Sequence, residues 1–561
     1  MRIVGANLGK TQQGMLLNDG GICLLDEERL VITSEERITR KKYAGGFKES
    51  LKYLLDREHL KIDDIDLFVF SSCCELPLNK IENHNYFENF DISVPENKIV
   101  FMPSHHLSHA NSVFYASGFD EAIIMVIDNE GNIIKDLGHK NFYENELEHM
   151  TYYIGKDNKI KFLERDDIES NKIGIGDAYR YFTHYIGFPS YVYAGKTMGL
   201  APYGNPNKYK QIKIFNFDKE TGKISCNINN HYINCTYALK EFFKDKYNMK
   251  LIEPRTPIDE ITQEYADLAY LIQTELEDVL IKKVKYLYEK TGIKKLCIAG
   301  GVGLNSVANG RILRETPIKE IFILPAAGDT GQCLGNVYYG YYEVLKNTKP
   351  IKFSSPFLGF EYTEREILAE LKQHKNLKYT KYKNINTLNK QAAYDLSKGK
   401  IVARFDGRSE FGPRALGNRS ILMDPTKKEN KDILNSRVKF RESFRPFAPS
   451  VLYDYANEYF DLEQESPYML LVFKVKKPDK IPAVTHVDLS ARVQTVTKEI
   501  NSNYYDLINE FYKITGVPVL LNTSFNINGE PIVETPKDAI NCFISTNIDE
   551  LIIGQYLVTK E

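Results

Sequence analysis

Two histidines four residues apart, His105 and His109 in Pro103-Ser104-His105-His106-Leu107-Ser108-His109-Ala110, have the types and spacing to do chemistry. On a helix, positions i and i+4 share a face, so both imidazoles converge on one ion. Acids complete the set. Asp128 ends the apolar run Ala122-Ile123-Ile124-Met125-Val126-Ile127, which reads as a buried strand, and the carboxyl end of such a strand is where α/β sheets place ligand groups. Asp329, in Pro325-Ala326-Ala327-Gly328-Asp329-Thr330-Gly331, is a second such acid. Two imidazoles and two carboxylates suit iron, manganese or zinc rather than calcium, and spacing alone does not choose among the three. Histidines at this spacing also cap helices or satisfy core polar groups, but three of the chain's 11 histidines within five residues weigh toward a site.

A second chemistry lies downstream. Arg404 to Ser420 carries four arginines in a glycine-rich stretch that reads as a functional loop. Arg437, Lys439, Arg441 and Arg445 follow, alternating with apolar residues in Val438-Lys439-Phe440-Arg441-Glu442-Ser443-Phe444-Arg445-Pro446-Phe447, which predicts a strand with one cationic face. Guanidinium forks match phosphate oxygens in pairs and lysine acts as a point charge, so this set suits a small phosphorylated substrate. Arg492 offers a further contact, and Asn522-Thr523-Ser524-Phe525-Asn526 offers amide and hydroxyl donors for the same anion.

The elements that must position these groups are those of an α/β architecture. Over the first 350 residues or so, strand-like and helix-like segments alternate, long enough for two subdomains. They open with an antiparallel meander of Ile3-Val4-Gly5, Gly21 to Leu25 and Leu30 to Ser34. Apolar residues from Ile261 to Leu287 keep helical spacing and predict one long helix ending near Thr291-Gly292. A strand, Leu296-Cys297-Ile298-Ala299, then runs into Gly300-Gly301-Val302-Gly303-Leu304-Asn305, a glycine turn whose free backbone N–H groups could face a nucleotide; tight packing is the competing explanation of such glycines. Residues 345 to 362 read as the connection to a second domain.

At 561 residues the chain exceeds what one core supports. Its 73 basic and 75 acidic residues leave no basic excess, which argues against a nucleic-acid partner. Eight scattered cysteines without a C-x-x-C pair fit reduced thiols in a cytoplasm. No segment reaches the roughly 20 apolar residues of a membrane span, and the amino terminus has no signal-peptide core. Twofold symmetry is the commonest oligomeric state, so a homodimer is the base-rate expectation.

Taken together, His105 to Ala110, Gly195-Lys196-Thr197-Met198-Gly199-Leu200-Ala201-Pro202-Tyr203-Gly204, Gly300 to Asn305, Glu410 to Ser420, Lys439 to Pro449 and Asn522 to Asn526 resemble the O-carbamoyltransferase family. Its members include nodulation proteins and the cephem and tobramycin-type carbamoyltransferases. The resemblance implies an actin/sugar-kinase-like domain over residues 1–350 and a YrdC-like, carbamoyl-adenylate-forming domain over 351–561. It implies that carbamoyl phosphate and ATP form carbamoyl adenylate, and that the carbamoyl group then passes to a hydroxyl, or an amine, of a small metabolite or sugar. Such work belongs to secondary metabolite or antibiotic biosynthesis.

Carried over residue by residue, the resemblance puts a divalent metal, Fe(II) with Mg(II) as the alternative, on His105, His109, Asp128 and Asp329. It puts carbamoyl phosphate on Lys439 and Arg492, places Arg414, Asn522, Thr523 and Ser524 in motifs lining the same domain, and counts these four with Lys196, Gly300, Gly301 and Asn305 as cofactor-binding. The sequence departs from the family near the amino terminus. Lys10-Thr11 stands where the family has His-Asp, so Lys10 takes the place of the histidine thought to deprotonate the acceptor. A lysine at its ordinary pKa is protonated at neutral pH and serves as a base only if burial or a nearby metal depresses it. Two other readings follow: a tRNA threonylcarbamoyl transferase, and a catalytically silent nucleotide-binding homologue.

Overall fold

The computed structural model describes residues 1–9, 17–77, 94–135, 145–166, 168, 172–189, 191–229 and 234–561. Two compact units emerge: Met1–Leu30 with Tyr43–Phe353, and Val31–Lys42 with Ser354–Glu561. The sequence carried no sign that Val31–Lys42 leaves the first unit.

The first unit is built twice over on one plan. Arg2–Asn7 pairs antiparallel with Gly21–Asp26 on one side and parallel with Leu67–Ser71 on the other, which pairs parallel in turn with Ile99–Phe101. In the second sheet Glu121–Ile127 pairs antiparallel with Met150–Lys156 and parallel with Lys295–Ala299, which pairs parallel with Glu320–Ile323. The order and sense of these four strands are the same in both sheets. The residues Ala122 to Ile127 are at most 1% exposed, which explains their unbroken apolar run: a strand covered on both faces does not alternate.

Two helices tie the sheets to the site. His105–Ser117 and Gln332–Tyr338 pack against each other closely enough that a Cβ on Gly335 would stand 2.0 Å from the Ser108 carbonyl. The long helix occupies Gln263–Thr291 and stops where Gly292 takes φ 71, the left-handed turn that glycine adopts without steric cost. No helix of the described residues is long and apolar enough to cross a membrane.

The second unit is a mixed α/β domain around an eight-stranded sheet. Its order is Leu377–Lys381, Tyr556–Lys560, Glu550–Ile553, Val402–Phe405, Arg419–Met423, Val519–Ser524, Ala448–Leu452 and Gln494–Val496. Helices Ile385–Ser397 and Ser502–Thr515 bury Leu388, Leu396, Leu507, Ile508 and Phe511 against it.

Two expectations about this unit need correction. Val438 to Phe447 is not a strand. Asn435–Lys439 is a turn of π-helix, Phe440 ends it in the left-handed region at φ 44, and the strand begins only at Ala448. Pro446 has no N–H to give a ladder, so the alternation never met a pairing partner. Nor is 404–420 a single loop. Arg404 and Arg419 sit within strands at 0% exposure. Arg404 donates to the Gly417 carbonyl and to Asp406, and Arg419 donates to the carbonyls of Asp406, Gly407, Phe360 and Asn418.

Candidate functional site

The helix His105–Ser117 starts at Ser104, whose Oγ accepts from the Leu107 N–H and donates to Glu148 Oε1. That cap fixes the first turn, and with it His105 and His109 one turn apart. His105 is further set by its N–H, which donates to Asn132 Oδ1 at 2.6 Å, and by Nδ1, which lies 3.2 Å from the Ser72 carbonyl. A hydrogen bond of this kind at one ring nitrogen leaves the other free to face the site.

Asp128 and Asp329 face the two imidazoles. His109 Nε2 lies 3.2 Å from both Asp128 Oδ2 and Asp329 Oδ1, and His105 Nε2 lies 3.4 Å from Asp329 Oδ1 and 3.9 Å from Asp128 Oδ2. One ligand atom from each of the four falls within 4.8 Å of the others. The donor set fits a divalent cation. Among the described residues, Asp128 Oδ2 and His109 Nδ1 are buried with no hydrogen-bond partner, and the counter-charge that the two carboxylates meet is imidazolium. Burial opposes charge on His105, but Asp329 and Asp128 outweigh it and raise the imidazole well above its ordinary range. Burial likewise opposes ionised Asp128, and His105 and His109 outweigh that, holding the carboxylate far below the usual range. His106 turns elsewhere: Nδ1 lies 2.7 Å from Thr151 Oγ1, and burial holds its pKa to about 3.

Gln332 was missed by the sequence reading. Its Nε2 donates to Asp329 Oδ1 at 3.2 Å and lies 3.0 Å from His105 Nε2, while its Oε1 accepts from Ser71 Oγ. The signal was the opening of a helix three residues after Asp329. A cavity of about 10 Å³ is lined by Asn7, Ser71, Ser72, Cys73, His105, Asp329 and Gln332, so the carboxyl ends of strands Arg2–Asn7 and Leu67–Ser71 reach it.

The glycine turn lies against this site. Gly300 holds φ 87, and a Cβ there would stand 2.2 Å from the Ile127 carbonyl, so packing alone requires glycine. The same construction on Gly301 falls 3.1 Å from Asp128 Oδ1. Asn305 spends its amide within the protein: Oδ1 caps helix Ser306–Glu315 at the Ala308 N–H, and Nδ2 donates to Gln273. Lys196 Nζ lies 4.6 Å from the Tyr193 ring centroid and 5.2 Å from that of Phe188. Lys10 lies outside the described residues.

In the second unit the cations gather, and among the described residues the most buried of them have no carboxylate partner. Lys439 is 4% exposed, and Nζ donates to the Ser524 carbonyl, to the Asn526 carbonyl at 2.9 Å and to Asn526 Oδ1 at 2.8 Å. Burial, then repulsion from Arg441, pushes its pKa well below the ordinary lysine value. Arg492 is lowered in the same way by burial and by Arg414, Arg441 and Arg445, and its Nε has no partner. Arg441 is pushed down to about 9 by burial and Arg445. Asn522 donates to Ser450 Oγ and Gln494 Oε1, leaving Oδ1 without a partner, and the Ser524 hydroxyl donates to Asn526 Oδ1. Thr523 pairs in register with Ile421, one strand over. Cations that repel one another in a buried place form a site that an anion would stabilise.

Comparison with known proteins gives this pair of sites a family. Residues 79–337 match the family description "Carbamoyltransferase N-terminus" and residues 393–560 match "Carbamoyltransferase C-terminus". Nodulation protein NolNO of Sinorhizobium fredii is 34% identical over 574 residues, covering 97% of this chain and 79% of that protein. Nodulation protein NolO of Bradyrhizobium diazoefficiens is 35% identical over 470 residues, covering 82% and 79%. An uncharacterized protein of Synechocystis is 34% identical over 588 residues, covering 94% and 92%. With both family regions matched in order and relatives of this identity spanning most of its length, the chain belongs to the carbamoyltransferase family and is a carbamoyltransferase.

Proposed function

We propose that this carbamoyltransferase uses ATP to activate carbamoyl phosphate and passes the carbamoyl group to a hydroxyl of a small metabolite or sugar. The observation that carries the reading is the cationic cluster of Lys439, Arg441, Arg445, Arg492 and Arg414, in which Lys439 has, among the described residues, only neutral oxygens as hydrogen-bond partners. A phosphate dianion supplies the missing counter-charge, and guanidinium groups bind it through paired N–H donors. Nitrogen lone-pair donation makes a carbamoyl carbon a poor electrophile, so transfer to an alcohol calls for a better leaving group. Water cleaves the P–O bond of carbamoyl phosphate and releases phosphate, and the carbamate oxygen then displaces pyrophosphate from the α-phosphorus of ATP, so that the carbamoyl group is joined to AMP as that leaving group.

In this reading Lys439 and Arg492 hold the phosphate of carbamoyl phosphate, and Arg414 with the Asn522 to Ser524 strand end lines the same place. His105, His109, Asp128 and Asp329 would hold a divalent metal, Fe(II) first among the candidates, with Ser72 and Asn132 fixing the orientation of His105. A bound metal supplies Lewis acidity and neutralises phosphate charge. Gln332 donates to Asp329 and so fixes that carboxylate. In the same reading Gly300 and Gly301, which lie against Ile127 and Asp128, and Lys196 would contact ATP.

The test is label transfer. The enzyme, ATP, a divalent metal and carbon-labelled carbamoyl phosphate are incubated with a panel of polyols, sugars and amines, and products are read by mass. One labelled carbamate on a hydroxyl, formed only with ATP, is the expected result. Label that stays in carbamoyl phosphate and free carbamate for every acceptor, with ATP unconsumed, would overturn the reading.

A further inference from the structure

Cys73 and Cys74 are adjacent in sequence, at the end of the strand Leu67–Ser71, and neither is used by the function proposed above. Their sulfurs lie 3.3 Å apart, and Cys74 holds a left-handed φ of 63, a conformation that costs any residue but glycine. The turn is clamped. The Cys74 N–H donates to the Gly131 carbonyl, and Asn132 Nδ2 donates to the carbonyls of Ser72 and Glu75. The same Asn132 accepts the His105 N–H through Oδ1, and the Ser72 carbonyl faces His105 Nδ1. Whatever moves Ser72 or Asn132 therefore moves the His105 ring. Cys73 also lines the cavity shared with His105, Asp329 and Gln332, which has room for a water-sized molecule.

We propose that Cys73 and Cys74 form a redox modification site, at which hydrogen peroxide converts the two thiols to a vicinal disulfide that distorts the turn holding His105. The chemistry balances in two steps. One thiolate attacks a peroxide oxygen, the O–O bond breaks, and the departing hydroxide takes up a proton to leave as water. The neighbouring thiol then attacks the sulfenic sulfur, the S–S bond forms, the S–O bond breaks and a second water leaves. Two thiols lose two electrons and two protons in all, and peroxide is reduced to two waters.

Adjacent Cα atoms are about 3.8 Å apart, closer than the roughly 4.4–6.8 Å that disulfides usually span. The bond formed is strained and therefore readily reduced by thiols, as a reversible mark requires. The hydrogen bond to Cys74 and burial push the Cys73 thiol up and the Cys74 thiol is raised as well, so the pair stays protonated at neutral pH and answers to sustained rather than trace peroxide.

The disulfide stands on its own geometry; its effect on metal binding rests on the ligand reading given under the proposed function. The experiment takes the full chain, reduced and then exposed to peroxide, with catalase added before analysis. Peptide masses are read across 73–74, and Mn(II) is titrated as the probe metal. The expected peptide is lighter by two hydrogens, or roughly 2 Da, with no alkylatable thiol. Mn(II) affinity falls about tenfold or more and returns with dithiothreitol. Cys73→Ser and Cys74→Ser, checked for folding by thermal unfolding, bind Mn(II) equally before and after peroxide. Where a serine variant fails to fold, the wild-type masses and titrations decide. Free thiols after exposure, or two separate sulfinic acids, overturn the proposal. A disulfide with unchanged Mn(II) affinity overturns its coupling to the site. Reduced wild type that binds no Mn(II) overturns the ligand reading instead, and the masses still decide the disulfide.

Discussion

Replacing Lys439 with methionine should separate the anion-binding role of the second unit from its stability. The ammonium is buried among the carbonyls of Ser524 and Asn526 and the amide oxygen of Asn526, all neutral acceptors. Its loss leaves those oxygens unpaired, at about 1–3 kcal/mol, and removes a buried charge whose desolvation costs a comparable amount or more. The two terms oppose each other, so the ligand-free variant unfolds within a few degrees of the wild type. Binding behaves differently. One or two charge-assisted hydrogen bonds to phosphate are worth about 1.5–3 kcal/mol each, so affinity for inorganic phosphate or carbamoyl phosphate falls about 10-fold to 100-fold or more. In wild type, ligand at 100 times its Kd adds about 2.7 kcal/mol, which for a unit of this size is a rise in Tm of about 5–10 °C; Lys439→Met at the same concentration, now only about 1 to 10 times its weaker Kd, gains about 0.4–1.4 kcal/mol, or roughly 1–6 °C.

The pH dependence follows from the same burial. Lys439 is depressed in the folded state, so between that lowered value and the ordinary lysine value near 10.4 the unfolded chain binds the extra proton. Ligand-free stability therefore rises with pH across that window, and phosphate, which favours the charged amine, flattens the rise. Thermal unfolding and calorimetric titration read both quantities. A Lys439→Met variant that binds phosphate within twofold of wild type would refute the reasoning.

Asp128→Asn and His109→Ala should each lower Mn(II) affinity by about 100-fold, since each removes one of the four proposed ligands, while circular dichroism stays unchanged; calorimetry with Mn(II) checks this. Arg419→Ala strips hydrogen bonds from four backbone carbonyls and should cost about 3 kcal/mol or more in denaturant unfolding, marking this arginine as structural. Gly300→Ala places a methyl 2.2 Å from the Ile127 carbonyl at φ 87 and should destabilise by about 2 kcal/mol or more, read by the same unfolding experiment.

The helix carrying His105 and His109, the buried strand before Asp128 and the long helix ending at Gly292 were legible because each follows from a local period or a single residue's backbone preference. Side chains that act across the fold were not. Gln332, Asn132 and Ser72 reach the site from three separate segments, and nothing local sets them apart from other buried polar residues. The alternation from Val438 to Phe447 misled because period two describes a strand only where a neighbour completes the ladder, and here a π-helical turn and Pro446 intervene. Arg404 and Arg419 read as parts of a functional loop by composition, whereas both lie in strands, and neighbouring carbonyls and Asp406 use up most of their donors.

Pyrophosphate release from ATP, measured with and without carbamoyl phosphate in wild type and in Lys439→Ala, tests the central claim most directly. The account predicts release that depends on carbamoyl phosphate and is lost in the variant. Release that ignores carbamoyl phosphate, or survives undiminished in Lys439→Ala, would contradict it.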